Sequence, residues 1–146
     1  MKNIKEIKVL HFYKEAYPDS FGGIAFFIHN LCKKGKYFGI KNTSLAFKKT
    51  NKNNLLNNIL EYDSYKLKED FTIFSTTFSL KGIFKFIELA KNSDIIHFHY
   101  PYPFADILYL LFAKNKKSVV TYHSDVVRQK KLLFLYKIIR NLFLSS

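Results

Sequence analysis

Short apolar runs alternate with helical patterns along most of the chain. The first run, Ile7–Tyr13 (IKVLHFY), predicts a buried strand, and the apolar spacing of Ile24–Lys34 predicts a helix. Strands that alternate with helices of this length are typical of an α/β fold, here a Rossmann-like parallel sheet with helices on both faces. The other predicted elements are strands at Thr43–Phe47, Phe71–Phe74, Asp94–His99 and Val119–His123, helices at Leu80–Ala90, Phe104–Ala113 and Val126–Leu144, and a loop or short helix at Asn51–Asn58.

Length and composition indicate one globular domain over residues 1–146. Hydrophobic residues make up 48% of the chain and charged residues 24%, which excludes a disordered polymer. The single cysteine, Cys32, forms no internal disulfide, so a reducing compartment is expected. Met1–Leu10 lacks the apolar segment of a signal peptide, and the apolar run Ile107–Ala113 is too short to span a bilayer. We therefore expect a cytoplasmic protein, with peripheral attachment to the inner face of the membrane as an option.

The net charge of +13 favours polyanionic partners in general. Nucleic acid, anionic lipid and anionic substrates all fit, but the lysines are scattered, so solubility explains the charge equally well. The aromatic residues lie within apolar runs instead of between basic residues, and no nucleic-acid-binding motif is present. We therefore expect no nucleic acid partner, and keep a basic nucleic-acid-binding module and a non-functional fragment as alternative functions.

Three segments are expected at the carboxyl ends of strands, where open α/β sheets bind ligands. Gly22-Gly23 opens a helix, and a helix N-terminus suits a phosphate, although such a pair is also common in plain turns. His97 and His99 end another strand and share one face of it. His123 ends the last strand, where it could bond a sugar hydroxyl, transfer a proton, or only bond the loop that caps the next helix.

A metal or nucleotide cofactor is not predicted. No third ligand with metal-site spacing accompanies His97 and His99, so His97 is interpreted as a hydrogen-bonded core histidine. The glycine pair does not form GxGxxG, so a dinucleotide site is not supported either.

These motifs together resemble a known family. Gly22-Gly23-Ile24, the segment Asp94–His99 followed by Pro101, and Val120–Asp125 resemble the N-terminal domain of family 4 glycosyltransferases, which have the GT-B fold. Val126–Lys130 resembles the branch that builds bacterial cell-surface polysaccharides. The resemblance spans nearly the whole chain.

The resemblance implies a two-domain enzyme in which the N-terminal domain holds the acceptor and the C-terminal domain holds the nucleotide sugar. Residues 1–146 would be the N-terminal, acceptor-side domain, truncated before the nucleotide-sugar domain and inactive alone. The implied reaction is the retaining transfer of a hexose from a nucleotide sugar to a saccharide acceptor, which is often lipid-linked in this family, during polysaccharide biosynthesis for the cell envelope.

The resemblance also implies roles for particular residues. The backbone of Gly22 and Gly23 would approach the donor diphosphate, and His123 would contact the transferred sugar as the catalytic residue. The last helix carries a basic face that would bind an anionic membrane surface, or would be an ordinary solvated face. Candidate contacts to the acceptor or sugar are Tyr17, His99, Tyr100, Asp125 and Arg128. The two tyrosines among them, like Tyr13 and Tyr102, would either stack on a sugar ring or only pack within the protein. The membrane-facing candidates are Lys130, Lys137 and Arg140.

Overall fold

A five-stranded parallel sheet forms the centre of the molecule. The computed structural model describes residues 6–48, 60–73 and 76–123, together with Asn141, Phe143 and Ser145. The strand order is β3-β2-β1-β6-β7, and every pairing within this sheet is parallel, which confirms the predicted Rossmann-like sheet. The elements are β1 (Ile7–Phe12), α1 (Gly23–Gly35), a 3-10 turn (Lys36–Phe38), β2 (Ile40–Lys48), β3 (Asp63–Lys68), β4 (Phe71–Ile73), β5 (Thr76–Phe78), α2 (Leu80–Lys91), β6 (Ile95–Tyr100), α3 (Pro103–Phe112) and β7 (Lys117–Tyr122).

One face of the sheet is aromatic and carries α2 and α3. Phe12 on β1 lies 5.1 Å from the ring of Phe86 on α2, and Phe98 on β6 lies 5.5 Å from Tyr109 on α3. Phe143, which is helical and buried, adds a ring 5.4 Å from Phe98. Burying aromatic side chains removes large apolar areas from water, so this face supplies the main hydrophobic core.

The opposite face is polar near its centre and carries α1. Buried Ile28 and Cys32 of α1 face the sheet, and the amide of Asn42 on β2 donates to the Cys32 carbonyl at 3.1 Å. Gly35 ends α1 so close to β2 that a Cβ there would collide with the Asn42 amide. Helices therefore cover both faces, as the sequence predicted, but the two faces differ in chemistry.

Three strands differ from the sequence prediction, of which β5 was not predicted at all. The sequence analysis missed β3, because its residues, DSYKLK, are mostly polar and only Lys66 is fully buried. The strand predicted at Phe71–Phe74 exists as β4, but it pairs antiparallel with β5 in a separate two-stranded sheet. Asn51–Asn58 and most of Val126–Leu144 lie outside the described residues, although Asn141, Phe143 and Ser145 are helical.

No described helix is both long enough and apolar enough to cross a bilayer.

Candidate functional site

The carboxyl ends of β1, β6 and β7 meet beside the first turns of α1. His123 follows β7 directly, and its backbone N–H donates to the Tyr100 carbonyl on β6 at 3.1 Å. Phe27 lies one helical turn after Gly23 and packs edge-on against His123, with ring centroids 5.1 Å apart and planes at 78°. The structure therefore brings Gly22-Gly23, the His97–His99 strand end and His123 to one edge of the sheet, as expected for parallel strands.

The N-terminus of α1 is open to a ligand. Gly22 is the N-cap residue in an extended conformation, and no side chain caps this end of the helix. A Cβ built on Gly23 would meet no atom within 4 Å, so the space beside this residue is free. The first N–H groups of a helix have no intrahelical partners and carry partial positive charge. This end of α1 therefore has the geometry of an anion site.

A carboxylate stands beside the same helix end. The hydroxyl of Ser20 donates to Glu15 Oε2 at 2.6 Å and accepts from the Gly22 N–H at 3.3 Å. A Cβ on Gly22 would lie 3.7 Å from the same Glu15 oxygen. The negative charge of Glu15 therefore opposes an anion at this end of α1, while the helix dipole favours one.

Four histidines form a row beneath and beside α1. His99 stacks between His97, with ring centroids 4.4 Å apart, and His123, at 5.4 Å. His11 on β1 completes the row, because β1 and β6 pair with His11 opposite His97. We call His11, His97, His99 and His123 the histidine row.

Hydrogen bonds join the members of the histidine row to each other and to their neighbours. His11 Nδ1 lies 3.2 Å from His99 Nε2, and His99 Nδ1 lies 3.1 Å from His123 Nε2. His11 Nε2 lies 3.0 Å from Asn42 Oδ1, and His97 Nε2 lies 2.7 Å from Thr121 Oγ1. His97 is thus hydrogen-bonded within the fold, the role that the sequence indicated.

Burial keeps the histidine row uncharged near neutral pH. It lowers the pKa of His11 from 6.5 to about 4, against a smaller opposing effect of the Asn42 hydrogen bond. Burial, reinforced by neighbouring His11 and His123, lowers the pKa of His97 to about 4. Burial also lowers the pKa of His99 and, less strongly, that of half-buried His123. Each ring therefore has one N–H donor and one acceptor nitrogen at pH 7.

The row contains the third histidine that the sequence analysis did not find. Ligand atoms of His11, His97 and His99 lie within 4.8 Å of one another, a spacing that a metal ion could use. The premise that a third ligand is missing was therefore wrong. Both nitrogens of His11 and both of His99 are already hydrogen-bonded, however, so a metal would have to displace these contacts.

Two predicted sugar contacts are buried. His99 is 1% exposed and Tyr100 is 2% exposed, so neither presents surface to a ligand. Tyr100 stacks on Tyr122 with centroids 4.8 Å apart. These residues lie at the predicted edge of the sheet, but they support neighbours there.

The remaining candidates separate into packed and undescribed residues. Half-buried Tyr17 contacts the rings of Phe21, Phe26 and His29 beside the start of α1. Buried Tyr102 donates to the Thr77 carbonyl at 2.7 Å, and Tyr13 is also buried, so both pack within the fold. The candidates that lie outside the described residues are Asp125, Arg128, Lys130, Lys137 and Arg140.

The sequence analysis missed His11, Asn42 and Phe27 as members of the site. The one signal for His11 is a histidine inside an apolar strand, IKVLHFY. Its neighbours depend on which strands pair and in which register, and one sequence does not show this. The structure places these residues on β1, β2 and α1; Phe27 contacts His123 directly, whereas Asn42 and His11 reach it through His99.

Comparison with known proteins decides the family. The model of "Glycosyltransferase Family 4" matches residues 21–146. The chain belongs to glycosyltransferase family 4. This confirms the resemblance that the motifs carried.

Two proteins show the same level of sequence identity to this family 4 chain. It is 37% identical over 143 residues to O-antigen chain mannosyltransferase C of Escherichia coli, which covers 96% of this chain and 38% of that protein. It is 37% identical over 140 residues to D-rhamnosyltransferase WbpZ of Pseudomonas aeruginosa, which covers 96% of this chain and 36% of that protein. The chain thus spans less than two fifths of the length of either relative.

Proposed function

We propose that this chain is the acceptor-side half of a glycosyltransferase that moves a hexose from a nucleotide sugar to a saccharide acceptor in surface-polysaccharide biosynthesis. The observation that carries the proposal is the position of His123 at the carboxyl edge of the sheet, next to the open N-terminus of α1. The family and the names of the two relatives support the same reaction class.

The two parts of the site suit different parts of a nucleotide sugar. Free N–H groups at the start of α1 suit a phosphate of the donor, with open space beside Gly23. An uncharged histidine suits a sugar hydroxyl, because it forms a hydrogen bond without attracting the diphosphate. We therefore propose that Gly22 and Gly23 approach the diphosphate and that His123 contacts the transferred sugar.

Retention of anomeric configuration, a lipid-linked acceptor and inactivity of the isolated chain belong to this proposal. The chain spans 38% and 36% of the lengths of the two relatives, and the nucleotide-sugar domain of the proposed two-domain enzyme would belong to polypeptide beyond these residues. We propose no nucleic acid partner. Tyr17, Asp125 and Arg128 remain candidates for acceptor contacts, whereas His99 and Tyr100 act through their neighbours because they are buried.

A chimera tests the proposed reaction directly. This chain replaces the matching part of O-antigen chain mannosyltransferase C, and mannosyl transfer is measured with the purified protein. We expect transfer by the chimera and none by the 146-residue chain alone. His123→Ala in the chimera should lower kcat/KM by roughly 10²-fold, because it removes a contact to the reacting sugar.

The control is Lys85→Ala, because Lys85 lies on α2, across the sheet from the histidine row, and pairs with Glu88. It should leave the rate within a few-fold. Full activity of the His123→Ala chimera would contradict the assigned role of His123. Sugar transfer by the isolated chain would contradict its inactivity.

Membrane attachment through the basic face of the helix predicted over Val126–Leu144 is the remaining element of the proposal. Its residues are Lys130, Lys137 and Arg140. Co-sedimentation with vesicles of anionic and of zwitterionic lipid should show binding to the anionic vesicles only, weakened by salt. Equal binding to both vesicle types would argue against an electrostatic contact.

A further inference from the structure

A continuous hydrogen-bond chain runs from the backbone of α1 to His123. Asn42 Nδ2 donates to the Cys32 carbonyl at 3.1 Å, and Asn42 Oδ1 lies 3.0 Å from His11 Nε2. His11 Nδ1 lies 3.2 Å from His99 Nε2, and His99 Nδ1 lies 3.1 Å from His123 Nε2. Asn42, His11 and His99 are all buried, so water does not compete for these contacts.

The Asn42 end of the chain has only one workable direction. A carbonyl oxygen can only accept a hydrogen bond, so the amide NH₂ of Asn42 must face Cys32. The amide oxygen then faces His11 Nε2, which must carry a hydrogen to donate. Turning the Asn42 amide over would set its oxygen against the Cys32 carbonyl, and two buried acceptors would face each other.

The direction passes from ring to ring because a neutral imidazole has one donor and one acceptor. His11 donates from Nε2, so its Nδ1 accepts, and the hydrogen in the next contact must come from His99 Nε2. His99 Nδ1 then accepts, and the hydrogen in the last contact must come from His123 Nε2. Burial lowers the pKa of His11 to about 4, so this ring is neutral at pH 7.

We propose that Asn42, His11 and His99 are positioning residues that hold His123 as the tautomer with its hydrogen on Nε2. His123 Nδ1 is then an acceptor of hydrogen bonds. Within the part of the chain that the structure describes, no hydrogen bond involves His123 Nδ1. The ring that ends the chain can therefore accept one hydrogen bond from a ligand.

This assignment narrows the chemical class of the ligand group at His123, a consequence that rests on the proposed function. An acceptor nitrogen pairs with a donor, so the matching group is a saccharide hydroxyl, not a phosphate or carboxylate oxygen. The anionic group belongs at the start of α1, where N–H donors are available. The chain thus separates the sugar from the phosphate by the direction of hydrogen bonding.

Imidazole ¹⁵N chemical shifts test the assignment without any ligand. In the 146-residue chain near neutral pH, His11, His99 and His123 should each show a protonated Nε2 and a bare Nδ1. A hydrogen on Nδ1 of His123 as the main form, or shifts averaged between the two tautomers, would overturn the proposal.

Two variants test whether the chain sets the tautomer. Asn42→Leu removes the residue that imposes the direction, and His11→Phe cuts the chain at its middle. In either variant both directions become allowed, so the Nδ1–H form of His123 should become detectable. The control is Ser44→Ala, which removes a buried hydroxyl from the same face of β2. This hydroxyl bonds Ser64 and takes no part in the hydrogen-bond chain, so the tautomer of His123 should stay unchanged.

Persistence of the pure Nε2–H form in both variants would show that something else sets the tautomer, and would overturn the proposal. Asn42→Leu and His11→Phe interrupt the hydrogen-bond chain at different points. If only one of them folds, persistence of the pure Nε2–H form in that variant is enough to overturn the proposal. The outcomes separate this proposal from the proposed function. If His123 is held as the Nε2–H tautomer but the chimera is inactive, only the proposed function is refuted. If the chimera is active but His123 shows both tautomers, only the proposed direction of the hydrogen-bond chain is refuted.

Discussion

Acid should unfold this protein because the histidine row is buried without charge. Burial lowers the pKa of His11 from 6.5 to about 4. In the unfolded chain the same ring takes up a proton near its ordinary pKa, so protons favour the unfolded state below about pH 6.5. The contribution of His11 to stability is therefore full above that pH and is lost as the pH falls towards about 4.

The size of the effect follows from the pKa of His11. A lowering from 6.5 to about 4 corresponds to about 3 kcal/mol. His97, whose pKa is also lowered to about 4, acts in the same direction, although the two contributions are not additive because each proton repels the next. The free energy of unfolding of ordinary domains is roughly 5–15 kcal/mol, so protonation of the histidine row can remove a large part of it.

Urea unfolding followed by far-UV circular dichroism measures this effect. The free energy of unfolding should fall by about 1.4 kcal/mol per pH unit for each proton that the unfolded state binds in excess, between about pH 6.5 and 4.5. His11→Phe should reduce the slope of this decline by up to about 1.4 kcal/mol per pH unit, the contribution of one proton. His29→Phe, the matched control on α1, should change it less, because His29 is only half-buried. A free energy of unfolding that stays constant from about pH 7.5 to 4.5 would refute the reasoning.

Two further substitutions test the site and the packing beside it. Glu15→Gln should strengthen pyrophosphate binding by about two- to five-fold, because it removes the carboxylate that opposes an anion at the start of α1. A calorimetric titration measures this affinity, and an unchanged value would argue against an anion site there. Gly35→Ala should lower the free energy of unfolding by more than about 1 kcal/mol, because its Cβ would collide with the Asn42 amide. The control, Gly23→Ala, adds a Cβ in open space and should lower the free energy of unfolding far less. Equal destabilisation of the two variants in thermal melts would contradict this interpretation of the packing.

The sequence predicted the frame of the fold because its signals are local. Alternating apolar runs and helical spacing located β1, β2, β6 and β7 and the three described α-helices to within a few residues. β3 escaped because a strand with a mostly polar sequence and one fully buried residue has no clear apolar pattern. The antiparallel pairing of β4 escaped because its partner β5, the next strand along the chain, was itself not predicted.

The candidate site was predictable only in outline. By itself, the sequence predicted that Gly22-Gly23, His97–His99 and His123 lie at or after the ends of strands and so reach one edge of a parallel sheet. The tertiary structure decided that His11 and Asn42 join His99 and His123 in one hydrogen-bond chain, and that His99 and Tyr100 are buried. The physical reason is that the residues facing each other across a sheet depend on strand order and register, which packing of the whole chain selects.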